Sequence, residues 1–125
     1  MAADQSYAIN YEPIAGGLHK LDIQQLIEDA TDRWYNQTLF RVDDAVVRLG
    51  VFQGGEFHWH KHDHEDELFV VLDGHLRIEV EDREPAELEP RQAYLIPKGV
   101  QHRPIATMPT TVLMVERAGV VATGD

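Results

Sequence analysis

The hydrophobic residues of this chain follow two different periods, and the change comes near Trp34. Between Lys20 and Asp32 apolar residues recur about every 3.6 positions, which predicts one short amphipathic helix. Asp22 stands at its start, where a carboxylate can accept an otherwise unpaired backbone N–H. From Trp34 onward the period changes to two, which predicts β-strands.

Short strands separated by turn residues follow one another to the end of the chain. We predict them at the following places: Ala45–Phe52, Glu67–Leu72, Leu76–Glu81, Ala93–Ile96, Gln101–Ala106 and Thr110–Arg117. Asp73-Gly74 joins two of them, and this dipeptide favours a tight hairpin turn. About eight short strands with such frequent turn signals predict a β-sandwich or barrel.

The chain is predicted to be one domain with a helical preface. Residues 1 to about 18 contain Pro13 and a Gly-Gly pair, and we expect an extended arm or loop there. The predicted division is an arm and helix over residues 1–33 and a β-barrel over residues 34–125.

Composition narrows the classes of partner. The 125 residues include 22 acidic and 11 basic side chains, for a net charge of −11. Such a surface repels phosphate backbones and anionic lipid, so neither nucleic acid nor a membrane is an expected partner. No apolar run is long enough to span a bilayer. The absence of cysteine excludes disulfides and thiolate metal sites, and a cytoplasmic location is the simplest expectation.

Four histidines fall within seven residues, at His58, His60, His62 and His64. At strand period two they would share one face. A row of imidazoles builds a poor core because each ring carries polar nitrogens, but neutral imidazole is the commonest metal ligand. The alternative is a solvated edge with acidic neighbours.

Two residues further along extend this cluster. Glu67 opens an apolar strand, and His102 follows a turn containing Pro97 and Gly99. Each is by itself more typical of a structural or solvated side chain. If the sheet closes on itself, however, three imidazoles and one carboxylate can surround one ion.

The first of two motifs here resembles that of the cupin superfamily. That motif is a Gly, five residues, His-x-His, three or four residues, Glu, six residues and Gly. The stretch from Gly54 to Gly74 matches every fixed position, with His60, His62 and Glu67 at the ligand positions.

The second cupin motif is matched at its centre. Pro97-x-Gly99 followed by His102 fits, so the resemblance implies that His102 is the fourth ligand. Arg91 stands where the motif has Gly, and Ala106 stands where it has Asn. The last ten residues, from Glu116 to Asp125, are similar to those of small single-domain bacterial cupins of the cupin-2, mannose-6-phosphate isomerase-like type.

The resemblance implies a double-stranded β-helix, or jelly-roll, barrel, a homodimer, and one divalent transition metal. Three nitrogens and one carboxylate oxygen suit Fe, Mn, Ni, Co, Cu or Zn. The residues expected around the metal pocket are His58, Arg48, Phe57, Trp59, Phe69, Tyr94 and Gln101. For the aromatic members the alternative is ordinary core packing, and for Arg48 it is an ion pair with an acidic neighbour.

The expected function is a metal-dependent enzyme acting on a small oxygen-rich molecule, such as a sugar derivative or a keto or hydroxy acid. Isomerisation and dioxygen-dependent oxidation are both open, and catalytic residues are not assigned. The alternative from another class is a small-ligand binding or sensing module with a structural metal. A third interpretation, an interaction protein with surface histidines, predicts no stoichiometric metal.

Overall fold

The computed structural model describes residues 7–125, which form ten strands and one helix. The strands, in chain order, are β1 Tyr7–Asn10, β2 Trp34–Val42, β3 Ala45–Phe52, β4 Gly55–Glu56, β5 Glu67–Asp73, β6 Leu76–Val80, β7 Ala86–Leu88, β8 Ala93–Ile96, β9 His102–Ala106 and β10 Thr110–Arg117. The helix α1 covers Ile23–Asp29. The predicted all-β fold with one short N-terminal helix is confirmed.

The strands form two sheets that enclose the main core. One sheet has six strands in the order β1-β2-β3-β10-β5-β8, and the other has four in the order β4-β9-β6-β7. All neighbours are antiparallel except β1 and β2. Because side chains alternate along a strand, each sheet sends every second residue inward. Phe69 and Val112 from the larger sheet pack in one buried cluster with Leu76 and Ile78 from the smaller sheet.

The helix covers the outer face of the larger sheet. The Asp22 carboxylate accepts a hydrogen bond from Gln25 N at 3.3 Å, as expected for an N-cap. The apolar stripe of α1 packs against a second buried cluster made of Leu39, Leu49 and Val51. The helix has seven residues, and no helix in the described part of the chain is long and apolar enough to cross a membrane.

The predicted hairpin at Asp73-Gly74 is wrong. Strands β5 and β6 follow one another in sequence but lie in different sheets, so this turn carries the chain across the barrel. Gly74 has a φ of +89°, and a Cβ there would lie 2.4 Å from the carbonyl oxygen of Pro109. The Asp-Gly signal marks a tight turn correctly, but it does not specify which strand pairs with which.

Part of the predicted arm joins the sheet. Strand β1 pairs in parallel with β2, and Tyr7 lies opposite Trp34. The first six residues of the arm lie outside the described residues. This pairing brings the Tyr7 side chain to the end of the barrel where the histidines lie.

Candidate metal centre

Two strands and one loop bring the predicted ligands together. His60 lies in the loop before β5 and forms a bridge to His102, with each backbone N–H donating to the other carbonyl at 2.9–3.0 Å. Glu67 opens β5 in the larger sheet, whereas His102 opens β9 in the smaller one. With His62, all four side chains are buried, and none is more than 7% exposed.

The donor atoms have the spacing of a metal site. One donor atom from each of the four residues lies within 4.8 Å of all the others. Glu67 Oε1 is 3.2 Å from His62 Nε2 and 3.3 Å from His102 Nε2. Adjacent ligands about 2.1 Å from one ion lie roughly 3.0–3.4 Å apart at octahedral or tetrahedral angles. The widest pair must approach slightly, since two such ligands can be at most about 4.2 Å apart.

Backbone carbonyls orient two of the imidazoles. His60 Nδ1 donates to the carbonyl of His58 at 3.0 Å, and His102 Nδ1 donates to that of Val100 at 2.9 Å. A carbonyl oxygen only accepts, so the proton of each neutral ring is on Nδ1. The Nε2 lone pairs are therefore available, and this is how metal-binding histidines are usually held.

The ring nitrogens of His62 give independent support for a metal site. Both of its ring nitrogens are buried, and neither makes a hydrogen bond with the residues that the structure describes. Its Nε2 lies close to Glu67 Oε1 but lacks the alignment of a hydrogen bond. Buried polar atoms without partners are costly, and an ion among the four side chains would satisfy this one. The residues present therefore fit a divalent metal.

Electrostatics keep His60 and Glu67 in the forms that bind a metal. Burial, followed by the neighbouring His102, lowers the pKa of His60 to about 4. Burial acts to raise the pKa of Glu67, but the adjacent imidazoles of His102 and His62 outweigh it and hold that pKa well below its usual range. Burial likewise acts to lower the pKa of His62, but the Glu67 carboxylate raises it overall. At neutral pH the site has an ionised carboxylate and, at His60, a neutral imidazole.

A second buried carboxylate lies beside the first. Glu116 on β10 is the register partner of Glu67 on β5 and is 4% exposed. Burial raises its pKa well above the usual value, and the negative charge of Glu67 raises it further. The sequence pattern does not single out Glu116, because an acidic residue near a strand end is usually solvated.

A narrow cavity next to the site is walled mainly by aromatic side chains. Its free volume is about 20 Å³, which is room for roughly one water molecule. The lining residues are Tyr7, Ile9, Trp34, Asn36, Phe52, Phe57, His60, Glu67, Phe69, Pro104, Met114 and Ala122. The cavity therefore adjoins the four-residue cluster at His60 and Glu67.

Three residues expected around the pocket lie in or next to this cavity. Phe57 and Phe69 line it. Arg48 does not line it, but its guanidinium donates through Nε and Nη2 to Asn36 Oδ1, and Asn36 does line it. Arg48 is 1% exposed, has the ring of Tyr11 4.9 Å away, and borders a separate depression.

The other expected pocket residues lie elsewhere. His58 is exposed and makes hydrogen bonds outside the four-residue cluster. Trp59 is 45% exposed, with the Arg103 guanidinium 5.2 Å from its ring centre. Tyr94 packs on the core from another side, and Gln101 is half-buried in the loop before β9.

The strand alternation that would put all four histidines on one face is not present. The segment 57–66 is an extended loop with only the single bridge at His60. His60 and His62 point into the barrel, while His64 is exposed and lies beside Asp66 and Lys98. A loop has no fixed side-chain alternation, so period two could not place all four rings on one face.

The fold and the site define a cupin. The family model of the Cupin domain matches residues 47–116, which is more than half of the chain, and the chain belongs to this family. The four gathered side chains stand at the ligand positions of the two cupin motifs.

Particular relatives are similar over most of the chain. An uncharacterised protein of Bacillus subtilis, YdbB, is 41% identical over 91 residues, which cover 73% of this chain and 80% of YdbB. A crystal structure of a cupin-2 domain protein from Shewanella frigidimarina has a TM-score of 0.72 at 29% identity, covering 78% of this chain and 93% of that one. The DMSP lyase DddQ of Ruegeria pomeroyi has a TM-score of 0.63 at 21% identity, covering 70% of this chain and 48% of that one.

Proposed function

We propose that His60, His62, Glu67 and His102 bind one divalent transition metal ion and that the chain is a metal-dependent enzyme. The observation that carries the proposal is the buried cluster of four donor groups within 4.8 Å of one another. Two of its imidazoles are already oriented by backbone carbonyls, so their Nε2 atoms are free to bind. Fe, Mn, Ni, Co, Cu and Zn all accept such a ligand set.

The chain's own residues supply the setting for the chemistry. When bound, the ion would polarise an oxygen of the substrate or provide open positions for oxygen chemistry. The site inside the barrel has little water. The attraction between the Glu67 carboxylate and a bound cation would therefore be stronger there than at the surface. The aromatic walls exclude water and hold the carbon skeleton of a ligand.

The walls favour one part of the expected substrate class. Apart from the metal ligands, the described lining residues that carry a polar side-chain group are Tyr7, Trp34 and Asn36. A polyhydroxylated sugar would leave several hydroxyls without partners there. A keto or hydroxy acid with an apolar substituent fits better, because its oxygens can face the ligand cluster and its carbon atoms the rings. The lyase among the structural neighbours supports only the compatibility of this fold with an enzyme.

One observation favours the alternative, a ligand-binding or sensing module. Among the residues that line the cavity, Tyr7 is the only titratable group that is not a metal ligand. Besides Tyr7 and the metal ligands, the described residues that line the cavity therefore offer no general acid or base. Homodimerisation and a cytoplasmic location stay predictions.

Metal content tests the first part of the proposal. We expect about one ion per untagged chain, and near zero in a His60→Ala/His102→Ala double variant. A His64→Ala/His75→Ala double variant is the matched control, since it also removes two imidazoles but none of the four clustered ones. Equal metal content in all three proteins, or none in a parent offered divalent ions at neutral pH, would contradict the proposal.

Turnover tests the second part. The metal-loaded parent and the His60→Ala/His102→Ala variant are incubated with a panel of small keto and hydroxy acids, in air and without oxygen, and followed by proton NMR. New product signals with the parent alone support the enzyme. Saturable broadening of ligand signals without product would support the binding module instead.

A further inference from the structure

The metal cavity is narrow in this structure. Its free volume of about 20 Å³ holds roughly one water molecule, which is too little for any organic ligand. Two of its walls belong to segments far from the motif loops in sequence. Tyr7 comes from β1, and Ala122 comes from residues 118–125, which we name the tail.

The tail lies across the loop that carries the metal ligands. Asp125 N donates to the carbonyl of Lys61 at 2.9 Å, and the Asp125 carboxylate accepts from Asp63 N at 2.6 Å. The tail has no helix or strand of its own, and only Val120 and Ala122 have buried side chains in it. A segment held by few contacts and no sheet ladder can open locally without unfolding the domain.

His58 joins this tail to the other closing segment. The carbonyl of Thr123 can only accept, so His58 Nε2 donates to it at 2.6 Å. The other ring nitrogen, Nδ1, is 2.8 Å from the Tyr7 hydroxyl. Tyr11 adds one more link, since its hydroxyl accepts from Ala122 N at 3.1 Å. One exposed imidazole thus spans both segments that narrow the cavity.

Gly124 lets the tail lie directly on a predicted metal ligand. Its φ is +100°, and a Cβ there would lie 2.5 Å from the Cβ of His60. With any larger residue at position 124, the tail would have to move away from the loop that carries His60. Gly119, at the base of the tail, also has a positive φ of +94°, but an added Cβ would meet nothing within 4 Å.

We propose that the tail is a gate over the metal cavity, latched to β1 through His58, and that small ligands enter when the tail swings away. The contacts that close the gate involve only protein groups. The inference therefore goes beyond the proposed function and holds with or without a bound ion.

Trp34 reports on the gate. The chain has two tryptophans. Trp34 is 3% exposed and lines the cavity, whereas Trp59 is on the surface. In a Trp59→Phe background, quenching of fluorescence by acrylamide measures how readily a small neutral molecule reaches the cavity. The measurement uses metal-free protein, so its result is separate from that of the metal-content test.

Removal of residues 121–125 is the first perturbation. We expect the quenching constant of Trp34 to rise several-fold while the far-ultraviolet circular dichroism is unchanged. An unchanged quenching constant in the folded, shortened chain would overturn the proposal.

A pair of glycine variants tests the gate even if the shortened chain fails to fold. Gly124→Ala lifts the tail from His60, and we expect it to raise quenching. Gly119→Ala imposes a similar backbone strain without the contact, and we expect it to leave quenching near the parent value. Equal effects of the two substitutions, or no effect of Gly124→Ala, would overturn the proposal, because closure would then not depend on the contact with His60.

Discussion

Gly74 offers the sharpest test of how the two sheets are joined. The Gly74→Ala substitution places a methyl group 2.4 Å from the Pro109 carbonyl oxygen and 2.6 Å from Thr110 Oγ1. These atoms cannot move freely, because Thr110 Oγ1 accepts from His75 N at 3.2 Å and has the carbonyl oxygens of Met108 and His75 at 2.8 and 2.9 Å as acceptors for its one proton. The turn must therefore shift as a unit.

The expected loss can be worked from two contributions. An alanine in the left-handed region costs about 1–2 kcal/mol. Displacing Thr110 breaks one or two hydrogen bonds, at about 1 kcal/mol each. We expect the free energy of unfolding to fall by about 3 kcal/mol, which would lower the melting temperature by roughly 10 °C.

Gly99→Ala is the matched control. Gly99 has a similar φ of +83°, but nothing lies within 4 Å of an added Cβ. We expect it to lose only the backbone contribution, about 1–2 kcal/mol. Urea unfolding of both variants in metal-free form measures the difference. Equal losses at the two positions would refute the argument that contact with Pro109 and Thr110 dominates at Gly74.

Three further predictions follow from the structure. Arg91 has a φ of +70° at the position where the cupin motif has glycine. Arg91→Gly should therefore leave the free energy of unfolding unchanged or raise it by up to about 1 kcal/mol. Arg91→Val should lower it in the same urea assay. Because the pKa of His60 is about 4 in the folded chain and about 6.5 unfolded, the unfolded state binds more protons in that window. In metal-free protein His60 should therefore contribute a loss of about 2 kcal/mol of stability between pH 7 and pH 5, and His60→Gln should remove this part of the slope. A divalent ion at about 100 times its Kd should add about 2.7 kcal/mol of stability to the parent and nothing to the His60→Ala/His102→Ala variant, measured by thermal unfolding.

Local patterns predicted the strands well but not their partners. Ala93–Ile96 and Thr110–Arg117 have the predicted bounds, because alternation and turn residues are encoded within each segment. The assignment of β5 and β6 to different sheets depends on long-range packing. A dipeptide such as Asp73-Gly74 holds no information about that packing. The short strands β4 and β7 have too few residues to show any period.

The candidate ligands could be identified from the sequence, but the cavity could not. His60, His62 and Glu67 stand at motif spacing, so their proximity follows from a short loop and one strand. The walls contributed by Tyr7 and Ala122 come from the two ends of the described chain, which meet only in the fold. No sequence period links residues so far apart.

Anomalous diffraction from crystals of the metal-loaded protein tests the central claim most directly. At the absorption edge of zinc, the account predicts one strong peak per chain, about 2.0–2.2 Å from ligand nitrogens and oxygens of His60, His62, Glu67 and His102. The exposed cluster of His75, Glu87 and Glu89 is the competing position. A peak at that surface cluster alone, or none among the four buried side chains, would contradict the account.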